Sequence, residues 1–211
     1  MNKNANCVFC EADENLKIYE TKNLFILFDP YPLMEGHLMI SSKEHYGCAG
    51  ELPEEFIEEL SFLKEKVRLI LKKTYGNVSF YEHGRAGGCM ATDPGNRLCH
   101  HFHLHALPFT GDVHRDLETK FRGKPLEGFS MIKTYFEGYG EYLYFENCEG
   151  VSKFYPSSGK VVPSHHLRTL ISQCLGHPHR ADWETYSQHK ERVLVFNTNR
   201  IKKHSDLFLA A

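Results

Sequence analysis

The sequence predicts an α+β fold with a mainly antiparallel sheet and flanking helices. Three observations carry that prediction. Apolar runs of strand length recur between turn-forming residues, at residues 24–28, 36–40 and 78–81. A long segment from Leu52 to about Thr74 repeats apolar residues at helical spacing. A strict alternation of histidine with apolar residues runs from His101 to Ala106. Strands separated by one helix and tight turns pack as a layered α+β domain.

Taken in order, Leu24-Phe25-Ile26-Leu27-Phe28 is an unbroken apolar run stopped by Asp29-Pro30-Tyr31-Pro32, so it reads as a buried strand and a turn. Gly36-His37-Leu38-Met39-Ile40 is a second strand, ending at Ser41-Ser42. Leu52-Pro53-Glu54-Glu55 starts a helix, with proline at the first position and acids in the first turn. Phe56, Leu60, Leu63, Val67 and Ile70 then make one apolar face, and Gly76 stops the helix. Residues 78–81 are a third strand. A glycine-rich loop over 84–95 leads to a fourth strand at 98–107, ended by Pro108. Beyond Phe109 the signals thin to a strand at 138–145, a helix at 164–175 ended by Gly176, and a strand at 193–196. With no repeat, low-complexity segment or linker, residues 1–110 are taken as the main domain. Residues 111–211 are an α/β extension packed on it.

Composition narrows the function. Hydrophobic residues are 41% and charged residues 25% of 211, enough for a core and a solvated surface. A formal net charge of −2 argues against a general electrostatic nucleic-acid binder and leaves room only for a local basic patch. The N-terminus shows no apolar leader, and no run is long enough to span a membrane, so neither a secretory signal nor a membrane partner is expected. Seven cysteines, an odd count, read as thiols in a reducing cytoplasm.

Four sets of residues can carry chemistry. In a strand, His101, His103 and His105 share one face, about 7 Å from one to the next, while Phe102, Leu104 and Ala106 anchor the other in the core. Such a face can hold a metal or a reacting phosphate. Cys7-Val8-Phe9-Cys10 is a pair of thiols suited to redox or zinc chemistry, and with no helix predicted after it zinc is favoured. A tetrahedral zinc needs two more ligands, for which His45 and His101 are candidates and Cys48 a rival. Asp29, at a strand end, can accept hydrogen bonds from ribose hydroxyls or cap a turn. The amides of Gly84-Arg85-Ala86-Gly87-Gly88 can cradle phosphate.

These motifs together resemble the histidine-triad (HIT) superfamily. His101-x-His103-x-His105 is similar to its signature. Phe28-Asp29-Pro30, Gly36-His37-Leu38-Met39-Ile40 and His45 are similar to its N-terminal half in order and spacing. Cys7 and Cys10 match its zinc-containing branch. The resemblance covers about half the chain. It implies a small α+β domain, often a homodimer, that binds a purine nucleotide or a nucleotide conjugate. Carried over by position, His103 is the nucleophile that attacks the α-phosphorus and forms a nucleotidyl-histidine. His105 binds the phosphate oxygens and His37 supports that site. Asp29, beside Phe28, holds the ribose, and Gly87 and Gly88 flank the phosphates. Zinc is structural, held by Cys7, Cys10, His45 and His101, and such a closed site does not activate water. Many members place a glutamine and a small hydroxyl residue before the triad, where this chain has Gly87-Gly88-Cys89-Met90. The stretch from Phe80 to Gly84 and the segment from Leu167 to Trp183 resemble larger HIT-like proteins, some related to RNA-debranching and splicing-associated factors. That adds an RNA end to the candidate partners.

Three functions therefore compete. One is a nucleotide hydrolase or nucleotidyltransferase working through His103. Another is a hydrolase with the triad as ligands of a catalytic zinc. The third is a nucleotide- or RNA-binding module with vestigial chemistry.

Overall fold

Strand β1 (Lys17–Glu20) and strand β2 (Leu24–Phe28) open the sheet, followed by β3 (Leu38–Ser42), helix α1 (Glu54–Tyr75), β4 (Ser79–Gly84) and β5 (His103–Leu107). Helix α2 (His114–Glu118), β6 (Lys124–Pro125), α3 (Met131–Tyr139), β7 (Tyr142–Glu146), β8 (Ser152–Pro156) and α4 (His166–Cys174) follow. This is a computed structural model, and it describes residues 7–87, 100–182 and 201. Among them the strands form one eight-stranded sheet in the order β1-β2-β3-β5-β4-β7-β8-β6. Every pairing between these strands is antiparallel, and the fold is α+β. No helix among the described residues is long and apolar enough to cross a membrane.

The apolar periodicity of α1 does the packing that its spacing predicts. Leu60, Leu63, Val67 and Ile70 lie with Leu24, Ile26, Ile40, Phe80, Phe102, Leu104 and Ala106 in one buried cluster. Each such side chain contributes roughly 1.5–3 kcal/mol on burial. Gly76 ends the helix in the left-handed conformation and donates its N–H to the Lys72 carbonyl. The opposite face of the sheet carries Tyr81, Leu143, Phe145 and Tyr155, covered by Leu167 and Ile171 of α4. Strand β5 sits between β3 and β4, with Met39 opposite His105, Ser41 opposite His103, and Tyr81 on the other side of His105. It is thus held from both edges, with α1 against one face and the histidines on the other.

Several predicted boundaries move. The second strand begins at Leu38 instead of Gly36, because Gly36 adopts φ +86° in the turn that precedes it. The third strand runs to Gly84, not Tyr81. Gly84 is therefore a strand residue and not the start of a phosphate loop. A Cβ there would meet the Tyr142 ring at 2.1 Å, so its missing side chain makes room for an aromatic neighbour. The fourth strand is described from His103, and residues 88–95 of the predicted loop and 98–99 of the predicted strand lie outside the described residues.

The predicted strand at 138–145 divides differently. Residues up to Tyr139 end α3, whose Ile132, Tyr135, Phe136 and Tyr139 recur at helical spacing, and the strand starts at Tyr142. The predicted helix at 164–175 is α4, from His166 to Cys174, and the predicted strand at 193–196 lies outside the described residues. Strand β7 pairs with β4 along its whole length, Phe80 opposite Glu146 to Gly84 opposite Tyr142. Lys64 and Arg68 of α1 both pair with the buried Glu146 carboxylate, so the sheet and an ion cluster join β7 to the first half of the chain.

Candidate functional site

The alternation in β5 separates two kinds of side chain. Phe102, Leu104 and Ala106 enter the core beneath α1. His101, His103 and His105 come off the other side and fall into two groups with different partners.

His101 joins the N-terminal turn. Its Nδ1 lies 3.4 Å from Cys7 Sγ, 3.6 Å from Cys10 Sγ and 3.3 Å from His45 Nδ1. Cys10 Sγ is 3.3 Å from His45 Nδ1. A tetrahedral ion with bonds of about 2.3 Å to sulfur and about 2.0–2.1 Å to nitrogen needs ligand atoms roughly 3.3–3.8 Å apart. The Nε2 of His101 donates to the Ser42 carbonyl at 2.9 Å, so its Nδ1 carries a lone pair toward the other three atoms. Two thiol sulfurs and two ring nitrogens converging in this way could hold a metal ion. Cys48, the rival ligand, lies elsewhere, buried in the cluster beneath α1.

His105 belongs to a buried relay on the other side of His103. Leu33 N–H donates to His37 Nδ1 at 3.0 Å, which puts the His37 proton on Nε2. His37 Nε2 then donates to His105 Nδ1 at 2.9 Å, leaving the His105 proton on Nε2. The ring of His105 stacks on Tyr81, centroids 4.2 Å apart. His103 has the opposite arrangement. Its Nδ1–H donates to the His101 carbonyl at 2.7 Å, so its Nε2 carries the lone pair. Burial disfavours the charged rings, pushing His37 down to about 4 and His103 and His105 down to about 3, so all three are neutral near pH 7.

Asp29 sits among these rings. Its Oδ1 accepts the Tyr31 N–H at 2.7 Å, and its Oδ2 lies 3.0 Å from Arg168 Nη1, 3.4 Å from His37 Nε2 and 3.5 Å from His105 Nδ1. Burial alone would raise its carboxyl, but the Arg168 guanidinium against Oδ2 holds it well below the usual carboxylate range. Asp29, His37 and His105 also form a group of metal-ligand types, but the Arg168 guanidinium already supplies its positive charge. Phe28, next to Asp29, is fully inside the core beneath α1.

The structure thus brings together His103, His105, His37 and Asp29, and separately Cys7, Cys10, His45 and His101. Gly87, with φ +71°, lies against the Val162 and Pro163 carbonyls, and Gly88 is outside the described residues. Three contributors escaped the sequence analysis. Arg168 comes from α4, 139 residues from Asp29 in the chain. Phe9 stacks on His103 and was visible only as a filler between two cysteines. His83 accepts the Leu167 N–H through Nε2 and so caps α4 beside the triad; it shares β4 with Tyr81 at the spacing of one face.

No family model matches the chain. Curated relatives do. The chain is 24% identical over 116 residues to the adenosine 5′-monophosphoramidase HNT1 of Candida albicans, spanning 51% of this chain and 73% of that protein. It is 25% identical over 111 residues to an uncharacterized HIT-like protein of Mycoplasma genitalium, spanning 51% of this chain and 75% of that one. It is 28% identical over 109 residues to the adenylylsulfatase HINT3 of Arabidopsis thaliana, spanning 48% of this chain and 51% of that protein.

Proposed function

Because this chain belongs to the histidine-triad superfamily, we propose that it cleaves nucleotide conjugates at the α-phosphate, with His103 as the nucleophile and adenylates as the first substrates to test. The observation that carries this is the opposed protonation of neighbouring rings. His103 keeps its proton on Nδ1 through the His101 carbonyl, and His105 keeps its proton on Nε2 through His37 and Leu33. One ring therefore offers a lone pair and the next, 4.8 Å away between centroids, offers a donor.

The chemistry follows from that pairing. The His103 Nε2 lone pair forms a bond to phosphorus while the bond to the leaving group breaks and the leaving group takes up a proton. The developing charge on a non-bridging phosphoryl oxygen accepts the His105 Nε2–H. Water, or a second acceptor in a transferase, then attacks phosphorus on the face opposite the P–N bond. The imidazole leaves with its electron pair restored, and two displacements retain configuration at phosphorus. The names of two relatives, a monophosphoramidase and an adenylylsulfatase, support an AMP moiety joined to an amine or a sulfate. Zinc, held by Cys7, Cys10, His45 and His101, would be structural: four protein ligands leave it no open position, and it would fix the segment that leads into β5. Residues 111–211 act in this reading as an extension packed on the first half, with Arg168 reaching the site.

The rival in which the triad shares one catalytic metal is opposed by the division of its nitrogens between two groups. The deciding experiment is incubation with adenosine 5′-phosphoramidate labelled at phosphorus, followed by acid-labile adduct mapping. A label on His103 is the expected result. A label elsewhere, or turnover that persists in His103→Asn, removes the assignment.

A further inference from the structure

The carboxylate expected to hold a ribose is already occupied. A cis-diol binds an acid by donating two O–H bonds to its oxygens, which needs lone pairs that a ligand can reach. Asp29 is bonded at both oxygens and buried, so its remaining lone pairs are closed to a ligand. Oδ1 closes a local turn with the Tyr31 N–H at 2.7 Å, and Oδ2 accepts from Arg168 Nη1 at 3.0 Å. Asp29 is 3% exposed and Arg168 5%. The guanidinium is held in place from behind as well. Its Nη2 donates to the Tyr31 carbonyl at 2.6 Å and to the Arg180 carbonyl at 3.4 Å, and its Nε donates to the Ala181 carbonyl at 3.4 Å. Arg180 in turn donates to the Leu33 carbonyl at 2.9 Å. The segment after α4 is thus tied to both ends of the turn that carries Asp29.

We infer that Arg168 is a specificity-determining residue, which by pairing with Asp29 withdraws it from sugar recognition, so that the site binds nucleoside 5′-phosphates without distinguishing ribose from 2′-deoxy or 2′,3′-dideoxy sugars. The inference rests on the nucleotide reading above. A ligand diol would have to displace Arg168 from a buried carboxylate and leave that cation unpaired, which is strongly unfavourable. Phosphate recognition by His103 and His105 is untouched by the sugar.

The test is calorimetric titration of the full chain with AMP, 2′-deoxy-AMP and 2′,3′-dideoxy-AMP. The expected result is three dissociation constants within about threefold of one another. A free acid reading the diol would give AMP an advantage of roughly tenfold or more, the scale of hydrogen bonds to a charged group, and that outcome overturns the inference while leaving the nucleotide site standing. Binding of none of the three overturns the nucleotide reading itself, and this inference with it. Arg168→Gln, checked for its fold by circular dichroism, should gain a preference for AMP of about tenfold by the same principle. A folded variant that stays indifferent overturns the assignment to Arg168, and if the variant does not fold the wild-type series decides alone.

Discussion

The ring of Phe9 lies flat on the imidazole of His103, with centroids 4.4 Å apart and planes 18° from parallel. Phe9 sits between Cys7 and Cys10, so the turn that offers two thiols to a metal also presses on the proposed nucleophile. Stacked rings are worth about 0.5–1.5 kcal/mol beyond their buried area. Phe9→Ala should therefore slow nucleotidyl-histidine formation by roughly three- to tenfold on that scale, with bound metal unchanged. Single-turnover labelling and metal analysis on the same preparation check both halves. Loss of metal along with rate would mean that Phe9 only holds the turn together.

Metal content is the second prediction. The chain should purify with about one zinc per molecule, and Cys10→Ser should lower both that content and the melting temperature. His101 Nδ1 to Cys7, Cys10 and His45, and Cys10 to His45, are separated by 3.3–3.6 Å, the spacing between ligands of one tetrahedral ion. A protein whose stability is indifferent to a strong chelator would argue that these residues simply pack.

His105→Asn should keep the adduct on His103 but reduce its rate of formation by about 10²–10³-fold, the usual effect of removing one donor to a developing oxyanion. Its donor role depends on the bonds from Leu33 through His37. His37→Ala should therefore reproduce part of the defect without touching the phosphate. Rapid-quench measurement of the labelled intermediate distinguishes the two variants from His103→Asn, which should form none.

Stability should fall with rising pH through Glu82. This carboxyl lies 1% exposed beneath the sheet, bonded to Ala49 N–H and Tyr142 O–H at 2.8 Å each, and burial pushes it up from 4.5 to about 7. Between those values the folded chain keeps a proton that the unfolded chain has released. Stabilisation from the neutral acid is complete below about pH 4.5 and is lost as pH rises through 7, in all about 3 kcal/mol at 1.4 kcal/mol per unit. The buried neutral histidines act in the opposite sense, destabilising the fold as pH drops below 6.5. Urea denaturation of wild type and Glu82→Gln, differenced at each pH, isolates the acid. A difference that stays level from pH 5 to 8 would show that Glu82 is already ionised in the fold.

The legible parts of this chain were those whose chemistry is local. The face of α1 could be followed because Phe56, Leu60, Leu63, Val67 and Ile70 repeat with the helix. The split of β5 into a buried and a histidine face follows from a period of two. Ligand type pointed to Cys7, Cys10, His45 and His101 but left Cys48 a rival, and only the family resemblance chose among them. Arg168 was not, because nothing near it in sequence hints that it crosses 139 residues to a carboxylate. Strand β8 was missed because Ser152-Lys153-Phe154-Tyr155-Pro156 has too short an alternation to stand out, and its pairing is set by the Asn147 turn, whose Oδ1 accepts from Glu149 and Val151. Helix α3 was not read, and its last two residues, Gly138 and Tyr139, were placed in the following strand because aromatic residues favour extended chain.

Strand β4 has a neighbour on each side, β5 on one and β7 on the other. A sheet built from the first half of the chain alone would stop at β4 and leave a row of bare amides and carbonyls, the surface along which separate molecules zip together. The hairpin of β7 and β8 supplies those bonds from within the same polypeptide. What an assembly would otherwise obtain from a second copy, this chain carries as its own sequel, and any second copy that docks must find a different surface from the edge of β4.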